Sequence, residues 1–123
     1  MKIHIFPWSD EYKKLEDVLV SKGFKVLRTD KGLDYDSLPI IVGESGIVSF
    51  KGKLRACFFI VSKKIDVSSV KDKVDKIFFY SMNESEEIFK LSDELDTELL
   101  VHDDFDELLE EVLIDVISVI QYY

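Results

Sequence analysis

The apolar and polar positions fall into two regimes along the chain. Residues 2–8 alternate, with Ile3 and Ile5 on one face and His4 and Phe6 on the other, which predicts a short strand. Pro7 suits its end, because proline has no N–H to give a ladder. From Ser9 the period lengthens. Ser9 is a good N-cap, and Asp10 and Glu11 occupy the first turn, where the helix dipole favours anions. Tyr12, Leu15, Val18 and Leu19 recur at helical spacing, and Gly23 stands where a left-handed residue closes a helix. A helix over about 10–22 is therefore predicted.

Residues 25–29 read as a second strand and 32–38 as a polar loop, with Pro39 breaking any helix there. Residues 40–42 and 47–50 are strand-like on either side of Glu44-Ser45-Gly46, and Lys51-Gly52-Lys53 reads as a second turn. This stretch is predicted to fold as antiparallel hairpins. Residues 54–62 are the longest β run. The segment from Cys57 to Val61 has no polar alternation, so it is expected to be a central strand covered on both faces.

After Asp66 the pattern changes to strands and helices in turn. Val67, Val70 and Val74 mark a short helix, and 77–81 a buried strand. Asn83 and Glu86 read as a capping box that opens a helix with Ile88, Leu91 and Leu95 as its stripe. Residues 98–102 form a last strand. Asp104 and Glu107 open a terminal helix to about residue 121, striped by Phe105, Leu108, Leu109, Val112, Leu113, Val116, Ile117 and Ile120. The expectation is one α/β domain over 1–123. Its mixed sheet has antiparallel hairpins at the centre, βαβ units towards the C-terminus and helices on both faces.

Composition adds a few exclusions. Nine Phe, five Tyr and one Trp against five Gly and two Pro argue for a packed core. The longest apolar runs are a few residues, so neither a membrane span nor a signal-peptide core is expected. A lone cysteine, Cys57, excludes a disulfide framework and a cysteine-based zinc site, and fits a reducing, cytoplasmic setting.

Charge is more informative. The formal net charge of −9 argues against a generic nucleic-acid binder. It hides an asymmetry: residues 1–64 carry twelve basic and eight acidic side chains, whereas residues 65–123 carry four and seventeen. Such a chain can present a basic face and an acidic one.

Several chemistries are absent from the motifs. Neither a Walker A loop nor Gly-x-Gly-x-x-Gly occurs, and Gly43-Glu44-Ser45-Gly46 is not a nucleophile elbow. Only His4 and His102 can serve a Ser–His pair. Cys57 lies in an apolar run and reads as an inert thiol. His102 and Asp103, at the end of a strand, are the best acid–imidazole cluster, and suit Mg²⁺, Mn²⁺ or Zn²⁺. A cap at Asp103 or Asp104 explains the same acids without a metal.

Asp36 immediately precedes Ser37-Leu38-Pro39-Ile40-Ile41, and Val61-Ser62-Lys63 ends the longest β run. With the element order from Asp10 to about Val112, these residues resemble the restriction-endonuclease-like fold of archaeal Holliday-junction resolvases and related PD-(D/E)XK nucleases. In that family an acid precedes or starts the second core strand, and an acid-x-Lys signature ends the third. Asp36 takes the first place and Lys63 the lysine's, while Val61 stands where the family has a metal-binding acid. Glu44, in the neighbouring turn, is the remaining carboxylate candidate. The resemblance implies Mg²⁺ or Mn²⁺; apart from it, no cofactor is expected.

Three functions follow. The first is a non-catalytic module for protein–protein interaction or self-association, in which Ile114, Val119, Tyr122 and Tyr123 add apolar area outside the main helical stripe. The second is a degenerate or atypical nuclease-like nucleic-acid binder using Lys51, Lys53, Arg55, Lys63 and Lys64 in the basic N-terminal half. Hairpin-edge lysines also guard against edge-to-edge aggregation. The third is a small metal-dependent hydrolase at His102 and Asp103.

Overall fold

The element order in the computed structural model, which describes residues 1–43, 52–63, 65–68 and 70–122, is β1 (Lys2–Phe6), α1 (Lys13–Ser21), β2 (Lys25–Leu27), β3 (Ser37–Val42), β4 (Leu54–Ile60), β5 (Val74–Ser81), α2 (Glu86–Glu94), β6 (Leu99–Val101) and α3 (Phe105–Tyr122). A 3₁₀ turn, Asp10–Tyr12, leads into α1, and the Ser9 hydroxyl accepts the Glu11 N–H at 3.4 Å. Gly23 closes α1 at φ +92, as the left-handed position requires.

The six strands form one sheet in the order β2-β1-β3-β4-β5-β6, and every pairing is parallel. This corrects the expected antiparallel hairpins. β3 and β4 read SLPIIV and LRACFFI. Such nearly continuous apolar runs are the mark of parallel strands buried on both sides. The register pairs Ile40 with Phe58 and Val42 with Ile60, so β3 and β4 both begin at the amino edge. The strand expected at 47–50 and the turn at Glu44, Ser45 and Gly46 lie outside the described residues. Pro39 sits inside β3, and the β3–β4 ladder starts only at Ile40, the next residue.

The prediction for the long apolar run holds. β4 has two neighbours on one side and one on the other beyond its partners, and from Ala56 to Ile60 its side chains alternate between two cores. Ala56, Phe58 and Ile60 face α1 and α3, alongside Ile3, Ile5, Leu38, Ile40 and Tyr80. Leu54, Cys57 and Phe59 face the opposite layer of Val67, Val70, Ile88, Leu91 and Leu95. Phe58 stacks on Phe78 across the β4–β5 pair, with ring centroids 4.8 Å apart.

Two local readings change. The three valines do not build a helix: the Val70 N–H donates to the Val67 carbonyl at 3.0 Å, the Lys73 N–H to that of Val70 at 3.0 Å, and Val74 opens β5. Their spacing records burial, at 2%, 1% and 5% exposure, in a crossover made of turns. The cap of α2 is Ser85, whose hydroxyl accepts the Ile88 N–H at 3.2 Å. Asn83 is engaged earlier, donating its N–H to Ser81 Oγ at 3.0 Å.

Candidate functional site

In a parallel sheet all strands end on one edge. Here α1 joins β1 to β2 over one face, while the 61–73 crossover and α2 lie over the other. The winding therefore reverses between β1 and β3, and in open α/β sheets a crevice at the carboxyl ends beside such a reversal is where ligands bind. A crevice of about 310 Å³ lies at this edge. Glu11 and Tyr12 follow β1, Val42 and Gly43 end β3, Ile60, Val61 and Ser62 end β4, Met82 and Asn83 follow β5, and Phe105 opens α3.

The wall after β1 is braced from outside. Arg28, just past β2, donates from Nε and Nη2 to the two carboxylate oxygens of Glu16 on α1, both at 2.9 Å. Its guanidinium also covers the Trp8 ring at 3.9 Å from the centroid. Lys13 adds a third bond to Glu16 at 3.2 Å. These partners, Arg28 first, hold the Glu16 carboxyl down at about 2. The segment carrying Trp8, Glu11 and Tyr12 is thereby pinned to α1 and β2. Tyr12 is 2% exposed and meets Phe105 edge-on at 5.6 Å. Burial, followed by the Glu11 charge, pushes its phenol up to about 12, so it remains a protonated donor at neutral pH.

His102 and Asp103 line an adjoining hollow of about 510 Å³ with Met82, Glu84, Val101 and Glu107. Asp104 is the helix cap: its carboxylate accepts the Asp106 N–H at 2.8 Å and its carbonyl the Leu108 N–H at 3.0 Å. Asp103 is left exposed beside a half-buried His102. Among the described residues no three His, Cys, Asp or Glu side chains are grouped to hold a metal.

The remaining candidates are dispersed. Asp36 precedes β3 at the amino edge, whereas Lys63 follows β4 at the carboxyl edge, and β4 alone spans about 20 Å. Glu44 lies outside the described residues. Lys53 and Arg55 stand at the amino end of β4, where Lys53 pairs with Asp75 at 3.2 Å and Arg55 covers the Tyr35 ring at 4.9 Å. They do not share a patch with Lys63; Lys51 and Lys64 lie outside the described residues.

Sequence reasoning left a Ser–His pair open, and the structure contains one. His4 Nδ1 lies 2.7 Å from the Thr29 carbonyl. A carbonyl only accepts, so Nδ1 carries a proton, and Nε2 lies 3.2 Å from Ser37 Oγ. Asp34 Oδ1 lies 3.2 Å from the same hydroxyl, and Lys2 holds Asp34 at 2.6 Å. That bond leads the causes lowering the Asp34 carboxyl pKa. His4 and Ser37 are both 0% exposed, so the network ties the 28–36 loop to β1 and β3 rather than meeting a substrate.

On α3, Ile114 and Tyr122 are 59% and 78% exposed. Val119 is not part of that patch: at 2% exposure it belongs to the core, three residues after Val116 and seven after Val112 on one helical stripe. Tyr123 lies outside the described residues. Between α1 and α3 runs a second hollow, of about 320 Å³, formed by Leu15, Val18, Leu109 and Leu113 with Lys14, Asp106 and Glu110 at its rim. Compared with protein-family models, curated proteins and solved structures, the chain matches none of them. No helix among the described residues is long and apolar enough to cross a membrane.

Proposed function

We propose that the protein is a non-catalytic α/β module that pairs with a second copy of itself through the α1–α3 face. One observation supports this above the others: Ile114 stands 59% exposed on α3, one turn beyond Glu110, which lines the apolar hollow between α3 and α1. A two-fold axis across that face would let each Ile114 enter the other copy's hollow, the self-complementary arrangement of an isologous dimer.

The rim charges favour the same occupant. On α1 Lys13 is already paired with Glu16 and Asp17, which leaves Lys14 facing the outer turns of α3, where Asp106, Glu107, Glu110 and Glu111 stand with no basic residue. Lys14 is 82% exposed on its side chain and only 3.8 Å from Asp106, a loose pair that a second copy can extend. Burying one isoleucine contributes about 2 kcal/mol per copy. Exposed ion pairs add about 0.2–1 kcal/mol each. Association costs about 4 kcal/mol or more, so a weak, salt-sensitive dimer is the expectation.

Sedimentation equilibrium from micromolar to millimolar protein tests this. The expected result is a monomer–dimer equilibrium that weakens as salt rises and disappears in Ile114→Asp, whose far-UV circular dichroism stays native. Val119→Asp is expected to unfold instead, because that side chain is inside. A monomer throughout at low salt, or a dimer untouched by Ile114→Asp, would overturn the reading.

A further inference from the structure

β6 closes the sheet on one side, and no strand lies beside its outer edge. One hydrogen bond tells its two sides apart: the His102 N–H donates to the Ser81 carbonyl of β5 at 3.1 Å. Peptide groups alternate sides along a strand. Leu100, opposite Tyr80, therefore also turns its N–H and C=O to β5, while those of Leu99 and Val101 turn outward. Among the described residues no backbone group pairs with them. The opposite edge strand, β2, contains the exposed Lys25, a charge that discourages a further strand. β6 is Leu-Leu-Val and contains none.

Charge stands at its two ends instead. From residue 91 to 123 the sequence has eleven acidic side chains and no lysine or arginine. Val101 lines the hollow at the carboxyl end of β6 together with Glu84, Asp103 and Glu107. A hollow at the amino end is lined by Asp75, Glu94, Asp96 and Glu98 against Lys71 and Lys76, so it too is negative on balance.

We infer that β6 takes up a basic peptide in extended conformation as a further strand of the sheet. The peptide backbone pairs with the outward groups of Leu99 and Val101, the mode of recognition by strand addition. Small apolar side chains at its centre continue the two layers, since Leu99 packs on the α2-side cluster and Leu100 on the α3-side one. Lysines or arginines at its ends meet the carboxylates. Glu98 and Asp103 are separated by about 16 Å of extended chain, which a seven-residue peptide spans. The edge is short and its backbone bonds are few, so charge supplies much of the affinity and all of the preference for a basic sequence. The β6 edge of a second copy would bring the same acids to the same ends and is repelled.

The test is a ¹H–¹⁵N NMR titration of the full chain at low salt with the peptide acetyl-Lys-Lys-Val-Thr-Val-Lys-Lys-amide. Saturable shifts are expected at Leu99, Val101 and Asp103, and the Leu99 and Val101 amides, fast to exchange with deuterium in the free protein, are expected to become protected at saturation. The same peptide N-methylated at its three central residues keeps its charge, loses its backbone donors and is expected to bind at least about ten-fold more weakly. Asp103→Lys changes an exposed residue that does not cap α3, and is expected to weaken binding about five-fold in an otherwise native spectrum. No saturable shifts, equal affinity for the N-methylated peptide, or Leu99 and Val101 amides that stay unprotected at saturation would each overturn the inference. Peptide affinity that falls as protein concentration rises would also overturn it, and would assign the edge to another copy's β2.

Discussion

Replacing Glu16 by Gln removes a charge from a site where only 9% of the residue is exposed, and leaves its shape in place. The carboxylate is held by two 2.9 Å bonds from Arg28 and one of 3.2 Å from Lys13, and its pKa falls from the usual 4.5 to about 2. A folded pKa below the unfolded one stabilises the fold above the unfolded value, and that stability is lost as pH falls through the folded value. The shift corresponds to at most about 3 kcal/mol at neutral pH. Arg28 is 49% exposed on its side chain, so solvent screening reduces this to about 1–2 kcal/mol. Urea melts followed by the fluorescence of Trp8, the only tryptophan, read the difference, since Arg28 lies against that ring. Glu16→Gln is expected to lower stability by about 1–2 kcal/mol at pH 7, with the gap shrinking below pH 4.5 and less than half of it left at pH 3. A gap of equal size at pH 7 and pH 3 would show that Glu16 acts through packing, and the charge argument would fail.

Two further outcomes are expected. Tyr80 is fully buried and donates its hydroxyl to Asp115 at 2.6 Å, joining β5 to α3; Tyr80→Phe should cost about 1–2 kcal/mol in urea melts, and a loss under about 0.5 kcal/mol would mean the bond adds nothing net. Cys57 is fully buried and its thiol is pushed well up by desolvation, so a disulfide reagent should label it only as fast as the chain unfolds; labelling within the mixing time in native buffer would contradict a central β4.

What was legible in the sequence is what is local. Ser9, the 3.6-residue stripe and Gly23 place α1 within a few residues, and Asp104 caps α3 as its spacing with Glu107 suggests. The unpolarised run of β4 announced burial on both faces. Strand direction is not local. Gly43 and Gly52 look alike whether the chain reverses into a hairpin or returns to the far edge, and only the lack of alternation in β3 hinted at the latter. The crevice escaped for a related reason. Glu11, Gly43, Ser62, Asn83 and Phe105 form no motif; each follows a strand, and they become neighbours only because all the strands run the same way. Tyr12, which counted only as a helix-face residue in the sequence, is buried against Phe105 at that edge.

The strand order also explains what becomes of the charge asymmetry. Because the order β2-β1-β3-β4-β5-β6 is nearly sequential, the basic N-terminal half of the chain builds one edge of the sheet, and β5, α2 and β6 build the acidic other. α3 breaks that separation. It leaves β6 and packs over the first half, where Leu108, Val112 and Val116 share a core with Leu15 and Leu19 of α1. Its acidic first turn therefore lies beside Lys14 of α1, and among the described residues a loose Lys14–Asp106 pair at 3.8 Å joins the two helices. An acidic partner would meet repulsion from α3. A second copy turned by a two-fold axis sets α1 against α3 on both sides at once, which is the physical reason for preferring it as the occupant of this face.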